Sequence, residues 1–359
     1  MGWQVGLDEV EAIAIGAGVL GTGGGGSTTI GRIRLRYELK NYSKTCQIID
    51  VDDLADDDLV CAVSGMGAPT VSNERLSNGQ EMVTAVHALE AHLGKKVAAI
   101  IIGEVGGSNA IQPLIAGLQL DLPVVDGDGM GRAFPELQMD TFSIGGIPAS
   151  PFLLCDIHGN TVIFDHIDTP LRAEAYARSL TIEMGGSALL VMPVMTGAQV
   201  KAFIIRDTLS LARDLGHAVL HARKHQLDAA QTVAEAAGGK VLFRGKIVDL
   251  FRRTTTGFAR GTMKIAAFQN ADDVLEIEFQ NENLIAVHNG EVICTVPDLI
   301  TLVSLEDGEP IGTEALRYGL RVAVLGMPAP KQLTTEAALK VIGPAAFGYD
   351  NIPFTPLSL

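Results

Sequence analysis

The sequence predicts an α/β fold: an N-terminal α/β domain on a mostly parallel sheet, followed by helices and a β-rich C-terminal module. Three observations predict it. Apolar runs alternate with helical periodicity through the first 125 residues. One of those runs, KVAAIIIG at 96–103, has the unbroken apolar character of a parallel strand covered on both faces. From about residue 240 the pattern changes to closely spaced short strands. A chain of 359 residues exceeds one ordinary core, and Asp168-Thr169-Pro170 reads as a boundary and helix start. The expected division is 1–166, an α/β domain, and 167–359, helical over 170–237 and β-rich over 240–330.

The elements follow in order. Asp8 with Glu11 three residues later has the pattern of a capping box. Val10, Ile13, Ala14, Ala17 and Leu20 then share one helical face, so 9–20 reads as a helix ended by Gly21. This decides how to read AIAIGAGVLGTGGGGS at 12–27, which spells G-x-G-x-x-G twice. A dinucleotide fingerprint needs a strand before the glycines and a helix opening on them. Here a helix comes first, and Gly23 to Gly26 are poor helix formers at about 1 kcal/mol each. Glu38, near the spacing of a ribose-binding acid, carries little weight without that helix. The loop is either a surface turn or a ligand-contacting segment, with Gly24, Gly25 and Ser27 as candidate substrate contacts.

Further on, 58–65 reads as a buried strand, and 74–93 as a helix striped by Leu76, Met82, Val83, Val86 and Leu89. A helix over 109–119 and a strand over 122–125 follow. Three loops then leave three such strands: Ser64–Pro69, Glu104–Asn109 and Asp126–Arg132. If the strands are parallel neighbours, the loops converge where α/β sheets hold ligands. Helices are expected over 170–184, 197–215 and 226–237. Strands are expected over 240–250, 262–268, 274–280, 284–288 and 291–295, with a hairpin turn at His288–Gly290.

Hydrophobic residues are 47% and charged ones 19% of the chain, enough apolar surface for packed cores. A net charge of −15 disfavours nucleic acid and anionic membranes as partners. The acidic run Asp50 to Asp58 reads as a solvated loop. Four dispersed cysteines make neither a zinc ribbon nor a redox pair. With no signal peptide or membrane span in view, a cytoplasmic protein is expected.

The richest chemistry lies in Val125 to Glu136. Asp126 and Asp128 are two apart, so an extended chain projects them to one side, with Arg132 and Glu136 following. Such a set suits polar-substrate binding, acid–base work or a divalent metal on Asp126 and Asp128. The calcium-loop pattern fails, because Met130 stands where an oxygen ligand is required. Glu104 ends a fully apolar run, which points to a cleft, and Asn109 lies beside it. Glu183 is either a further acid or an exposed helix end. His217, His221 and His225 read as a solvated basic helix face, since no metalloprotease acid accompanies them.

Taken together, GTGGGGS, SGMGAPTV, GEVGGSNAIQPL and PVVDGDGMGRAFPELQM resemble the S-methyl thiohydantoin desulfurase family, often associated with hydantoinase-type enzymes. So do RGKIVDLFRRTTTGFARGTMKI, IEFQNENLIA, VPDLITLV and GPAAFGYD in the second half. The resemblance implies hydrolysis of a small heterocycle to a hydantoin and methanethiol. Residue chemistry then assigns Asp126 or Asp128 as general base or metal ligand and Glu104 or Glu136 as acid. Asn109 and the Gly23 to Ser27 amides would hold the ring, and Arg132 would anchor a substrate carboxylate. No cofactor is certain. A homo-oligomer or a hydantoinase-like partner is the expected assembly, and a non-catalytic binding or regulatory subunit is the alternative function.

Overall fold

The computed structural model describes residues 2–67, 71, 74–75, 77–255 and 257–358. The Ala68–Pro69 end of the loop after the first buried strand, and Leu76 of the expected helical stripe, lie outside the described residues.

The parallel core of the first sheet has four strands. They are β2 (Cys46–Ile49), β5 (Val124–Asp128), β4 (Ala99–Ile102) and β3 (Leu59–Gly67), side by side in that order. Strand β1 (Trp3–Val5) pairs antiparallel with β2 at one edge. At the other, β8 (Ser187–Thr196), β6 (Phe152–Cys155) and β7 (Thr161–Phe164) extend the sheet antiparallel from β3.

Alternate residues of the core strands feed two apolar layers. Cys61, Val63, Ile100, Ile102 and Val124 join α1 (Val10–Leu20), α2 (Thr28–Tyr42), α3 (Glu81–Leu93) and α4 (Gln112–Leu120). Val60, Ala62, Ala99, Ile101 and Val125 join the opposite layer with α5 (Thr141–Ile144) and α6 (Gly197–Phe203). Burial on both faces is why KVAAIIIG shows no alternation.

Helix α1 begins where expected, but its N-cap is Glu9 and no side chain caps it. Glu11 is drawn to Arg32 and Arg36 on α2 instead, so the Asp8–Glu11 box does not form. Its internal glycines have a packing reason. A Cβ on Gly16 would fall 1.6 Å from the Ala212 carbonyl oxygen, and one on Gly216 1.8 Å from that of Ala12. Helix α1 therefore meets α7 (Thr208–His225) at backbone contact, which offsets the helix cost of glycine. A helix does follow the glycine run, since α2 opens at Thr28, but a helix rather than a strand precedes it.

The segment read as helical over 170–237 is interrupted. Helix α8 (Pro170–Glu183) forms as expected, but SALLVMPVMT is strand β8, buried on both faces and so without a period-two signal. The helix expected over 197–215 breaks at β9 (Ile205–Arg206) and the left-handed Asp207, whose φ is 60°. Helix α9 (Ala229–Ala236) then leads into the second sheet.

That sheet is antiparallel, in the order β14-β13-β12-β11-β10-β16-β15. Its strands are β10 (Lys240–Thr255), β11 (Phe258–Ala266), β12 (Val274–Gln280), β13 (Glu282–His288), β14 (Glu291–Thr295), β15 (Leu299–Ser304) and β16 (Arg321–Met327). Asn289 and Gly290, both at positive φ, make the expected two-residue turn between β13 and β14. Val303 and Leu325 of this sheet share a core with Leu20, Leu215 and Val233, which seats it on the helical layer. Among the described residues no helix is long and apolar enough to cross a membrane.

Candidate functional site

A cavity of about 650 Å³ opens at the carboxyl ends of β3 and β4. Ser64 to Gly67 line it from the last residues of β3, Glu104, Ser108 and Asn109 after β4, and Met130 with Phe134 to Leu137 after β5. Gly25 to Ser27 line it before α2, and Asn281 with Glu282 reach it from the second sheet. The loops after β4 and β5 thus meet the end of β3 around one cavity, and the glycine loop, the start of β13 and further segments, among them α2 and β8, complete its wall.

The glycine runs interlock to make this corner. Gly25 and Gly26 carbonyls accept from the Asn109 and Ser108 amides, both at 3.1 Å. A Cβ on Gly25, whose φ is 75°, would lie 2.2 Å from the Gly106 oxygen. A Cβ on Gly24 would lie 1.8 Å from Glu282 Oε1. Glycine is needed because another loop or a carboxyl group occupies the space of each side chain.

Two carboxyl groups in the lining have raised pKa values. Glu104 accepts from Asn109 Nδ2 at 2.5 Å and from the Phe134 amide at 3.3 Å. Burial pushes it up to about 7, against those two hydrogen bonds. Glu282 is 2% exposed and is pushed well above the usual carboxylate range, first by burial and then by the nearby Glu104 charge. Its Oε2 is buried with no hydrogen-bond partner among the described residues. Two such neighbours do not both ionise readily, so the pair holds a proton near neutrality. Asn109 also exchanges hydrogen bonds with the Gly65 main chain, so it fixes Glu104 to the end of β3.

The other expected site residues lie elsewhere. Asp126 is outside the cavity lining and saturated. It accepts from Leu209 N and Ser210 N at 3.1 Å, Ser210 Oγ at 2.5 Å and Trp3 Nε1 at 3.1 Å. It anchors the start of α7. Asp128 is fully buried and accepts from Val105 N, Met130 N and Gly131 N at 2.8, 3.2 and 2.9 Å, tying the loops after β4 and β5 together. Burial pushes its carboxyl up to about 7. Both lie against the start of α7, Asp126 through Leu209 and Ser210 and Asp128 through the Thr208 side chain, and β5 is irregular there, since adjacent Ile101 and Ile102 pair with Val125 and Asp128. Their oxygens are occupied by N–H and O–H donors, so the pair does not fit a metal. Among the described residues no group of three His, Cys, Asp or Glu side chains could hold one.

Arg132 is 0% exposed and is not a substrate anchor. Its Nε donates to Ala133 O, Nη1 to Pro297 O and Asp298 O, and Nη2 to Thr22 Oγ1 and Asn283 O. It pins the glycine loop to the second sheet, and burial lowers its guanidinium to about 10. Glu136 does line the cavity and accepts from Gln138 Nε2 at 2.5 Å. Gly25, Ser27 and Asn109 line it as well, while Gly24 lies against Glu282.

Glu282 escaped the sequence reading. A signal was there: Gln280-Asn281-Glu282-Asn283 is a polar run, all four buried, spanning the end of β12 and the start of β13.

The two halves of the chain match two family models. Residues 8–166 match "S-Me-THD-like, N-terminal domain" and 168–357 match "S-Me-THD-like, C-terminal domain". The chain belongs to the S-Me-THD-like family. A crystal structure of a protein from Chromobacterium violaceum shares the fold, with a TM-score of 0.81 at 24% identity, covering 99% of this chain and 100% of that one. Comparison with curated proteins gives no match.

Proposed function

We propose that this S-Me-THD-like protein hydrolyses the C–S bond of an S-methyl thiohydantoin-type heterocycle, giving a hydantoin and methanethiol. The observation that carries the reading is the presence of Glu104 and Glu282 together in the wall of one cavity, where burial pushes Glu104 up to about 7 and burial with the Glu104 charge favours the protonated form of Glu282. The reaction needs one base and one acid at once. Ionised Glu104 takes a proton from water as its oxygen bonds to the carbon bearing sulfur. Protonated Glu282 gives its proton to the ring nitrogen as the C=N bond opens. The tetrahedral centre then collapses to C=O and the C–S bond breaks. Methanethiolate leaves with the sulfur electron pair and takes the proton held by Glu104. Glu282 recovers its proton when the second hydroxyl proton of the added water is lost, so both groups return to their starting state.

The Gly25 to Ser27 amides at the opening of the 15-residue helix α2 have no acceptor among the described residues. They are suited to hold the polar edge of the ring. Neither carboxyl demands a metal in this scheme, and Asp126 and Asp128 take no part in it. The test is turnover by the purified chain, with methanethiol trapped by a thiol reagent and hydantoin identified by mass. Stoichiometric release of both supports the reading. A chain that binds the heterocycle and leaves it intact would instead act as a binding or regulatory subunit.

A further inference from the structure

We propose that the outer half of β10 is an edge on which a second copy of this chain docks, strand against strand, about a two-fold axis at Phe251. The inference is independent of the chemistry assigned to the cavity.

Strand β10 outruns its neighbour on one side. Strand β16 pairs with it from Lys240 to Lys246, and Ile247 makes one further exchange with Gly319 and Leu320. The register with β11 then shifts between Ile247 and Asp249, a bulge that bends the strand. The chain leading into β16 turns inward at Leu316, which is buried in the core of this sheet. From Val248 to Thr254 the strand therefore pairs with β11 alone, and its other edge meets no main-chain partner among the described residues. Such an edge offers a row of N–H and C=O groups to another strand. Apolar side chains stand on it: Phe251 is 57% exposed and Val248 38%.

The sequence of this edge selects a copy of itself. Asp249, Phe251 and Arg253 are all exposed and alternate along the strand, so they share its solvent face. In an antiparallel ladder, residues whose main-chain groups point at the partner strand must meet their own kind. Two identical strands satisfy this only when the axis passes through a residue. With the axis at Phe251, the two Phe251 rings meet at the centre, and each Asp249 lies opposite Arg253 of the second copy. An axis at Leu250 sets Asp249 against Phe251, and one at Arg252 sets Arg252 against itself. Both charges are available in the single chain. Lys264 lies opposite Asp249 in the ladder, but its ammonium is bonded to Glu276 at 2.8 Å. Arg253 lies opposite Arg260, a like charge, and a carboxylate arriving on the open edge offsets that repulsion. Neither Asp249 nor Arg253 makes an ion pair among the described residues.

The test is self-association of the full chain by sedimentation velocity, from about 1 to about 100 µM. The wild type is expected to dimerise within that range. Asp249→Arg and Arg253→Asp, each folded as judged by its thermal transition, set like charges against each other twice per dimer. Each is expected to raise the dissociation constant at least about tenfold. The double swap, Asp249→Arg with Arg253→Asp, restores both pairs in the opposite order and is expected to return to within about fivefold of the wild type. Mixing the two single variants is expected to give a heterodimer, since one then presents two cations and the other two carboxylates. A wild type that stays monomeric overturns the proposal. A dimer that both single variants keep overturns it too, because the contact then lies on another face. A double swap as weak as the single variants, or single variants that do not associate when mixed, overturns the register at Phe251.

Discussion

Replacing Glu104 by Gln changes stability in a way that depends on pH, and the sign follows from burial. In the unfolded chain this carboxyl titrates near its ordinary value of 4.5, and in the fold it is pushed up to about 7. Below pH 4.5 both states are protonated and the group contributes nothing against folding. As pH rises from 4.5 to 7 the unfolded chain ionises first, so the folded state loses stability, and above 7 the loss levels off. The full penalty is about 3 kcal/mol at about 1.4 kcal/mol per pKa unit. Between pH 5 and pH 8 about 2.5 kcal/mol of it develops. The amide of the variant has nothing to ionise, so Glu104→Gln gains on the wild type as pH rises. The entropy of unfolding near 60 °C is about 2.1 cal/mol/K per residue. For 359 residues the gain then corresponds to about 3 °C in Tm. Thermal unfolding of both proteins at pH 5 and pH 8 measures it. A Tm difference that is flat, or that moves against the variant, refutes the placement of Glu104 in a dehydrated pocket.

Three further substitutions test the scaffold. Arg132→Met removes five hydrogen bonds, four of which clamp the glycine loop at Thr22 to Asn283, Pro297 and Asp298. It is expected to cost about 3–5 kcal/mol in chemical denaturation; a loss under 1 kcal/mol contradicts the clamp. Gly16→Ala puts a methyl group into the α1–α7 contact, and overpacking of about 1–3 kcal/mol outweighs the gain in helix propensity. A higher Tm for that variant would show that the two helices can part. Asp126→Asn loosens the anchor of α7 while leaving the cavity wall intact. Its Tm is expected to fall with kcat kept within about threefold, and a loss of hundredfold or more returns Asp126 to the chemistry.

The sequence carried the sheet, the corner and, among the four acids, Glu104 and Glu136 in the cavity lining, while Asp126 and Asp128 lie outside it, for physical reasons. Unbroken apolar runs mark buried strands whatever packs on them, so β3, β4 and β5 and the loops leaving them were legible. Glu104 was legible because a carboxylate ending such a run needs a cavity or a partner. Asp126 and Asp128 met the same criterion, yet main-chain amides hold them, with Ser210 Oγ and Trp3 Nε1 also on Asp126, and Leu209 and Ser210 lie more than eighty residues away. No local pattern reveals such donors. Arg132 has the same cause, since four of its five acceptors are carbonyl oxygens, three of them from the second sheet and the loop preceding β15. Glu282 required knowing that β13 delivers its first residues to the opposite domain's cavity, which is a fact of domain packing. Strand β8 was missed because burial on both faces removes the alternation that marks a strand.

The measurement that bears most directly on the account is the pH dependence of kcat/KM for methanethiol release by the wild type and by Glu282→Gln. The account predicts a wild-type profile that rises through an ionisation near 7 as Glu104 becomes the base, and falls at higher pH as Glu282 loses its proton. In Glu282→Gln the rate should drop by about hundredfold or more and the alkaline fall should vanish. Wild-type turnover in Glu282→Gln, with the alkaline limb unchanged, would contradict the base-and-acid assignment on which the mechanism depends.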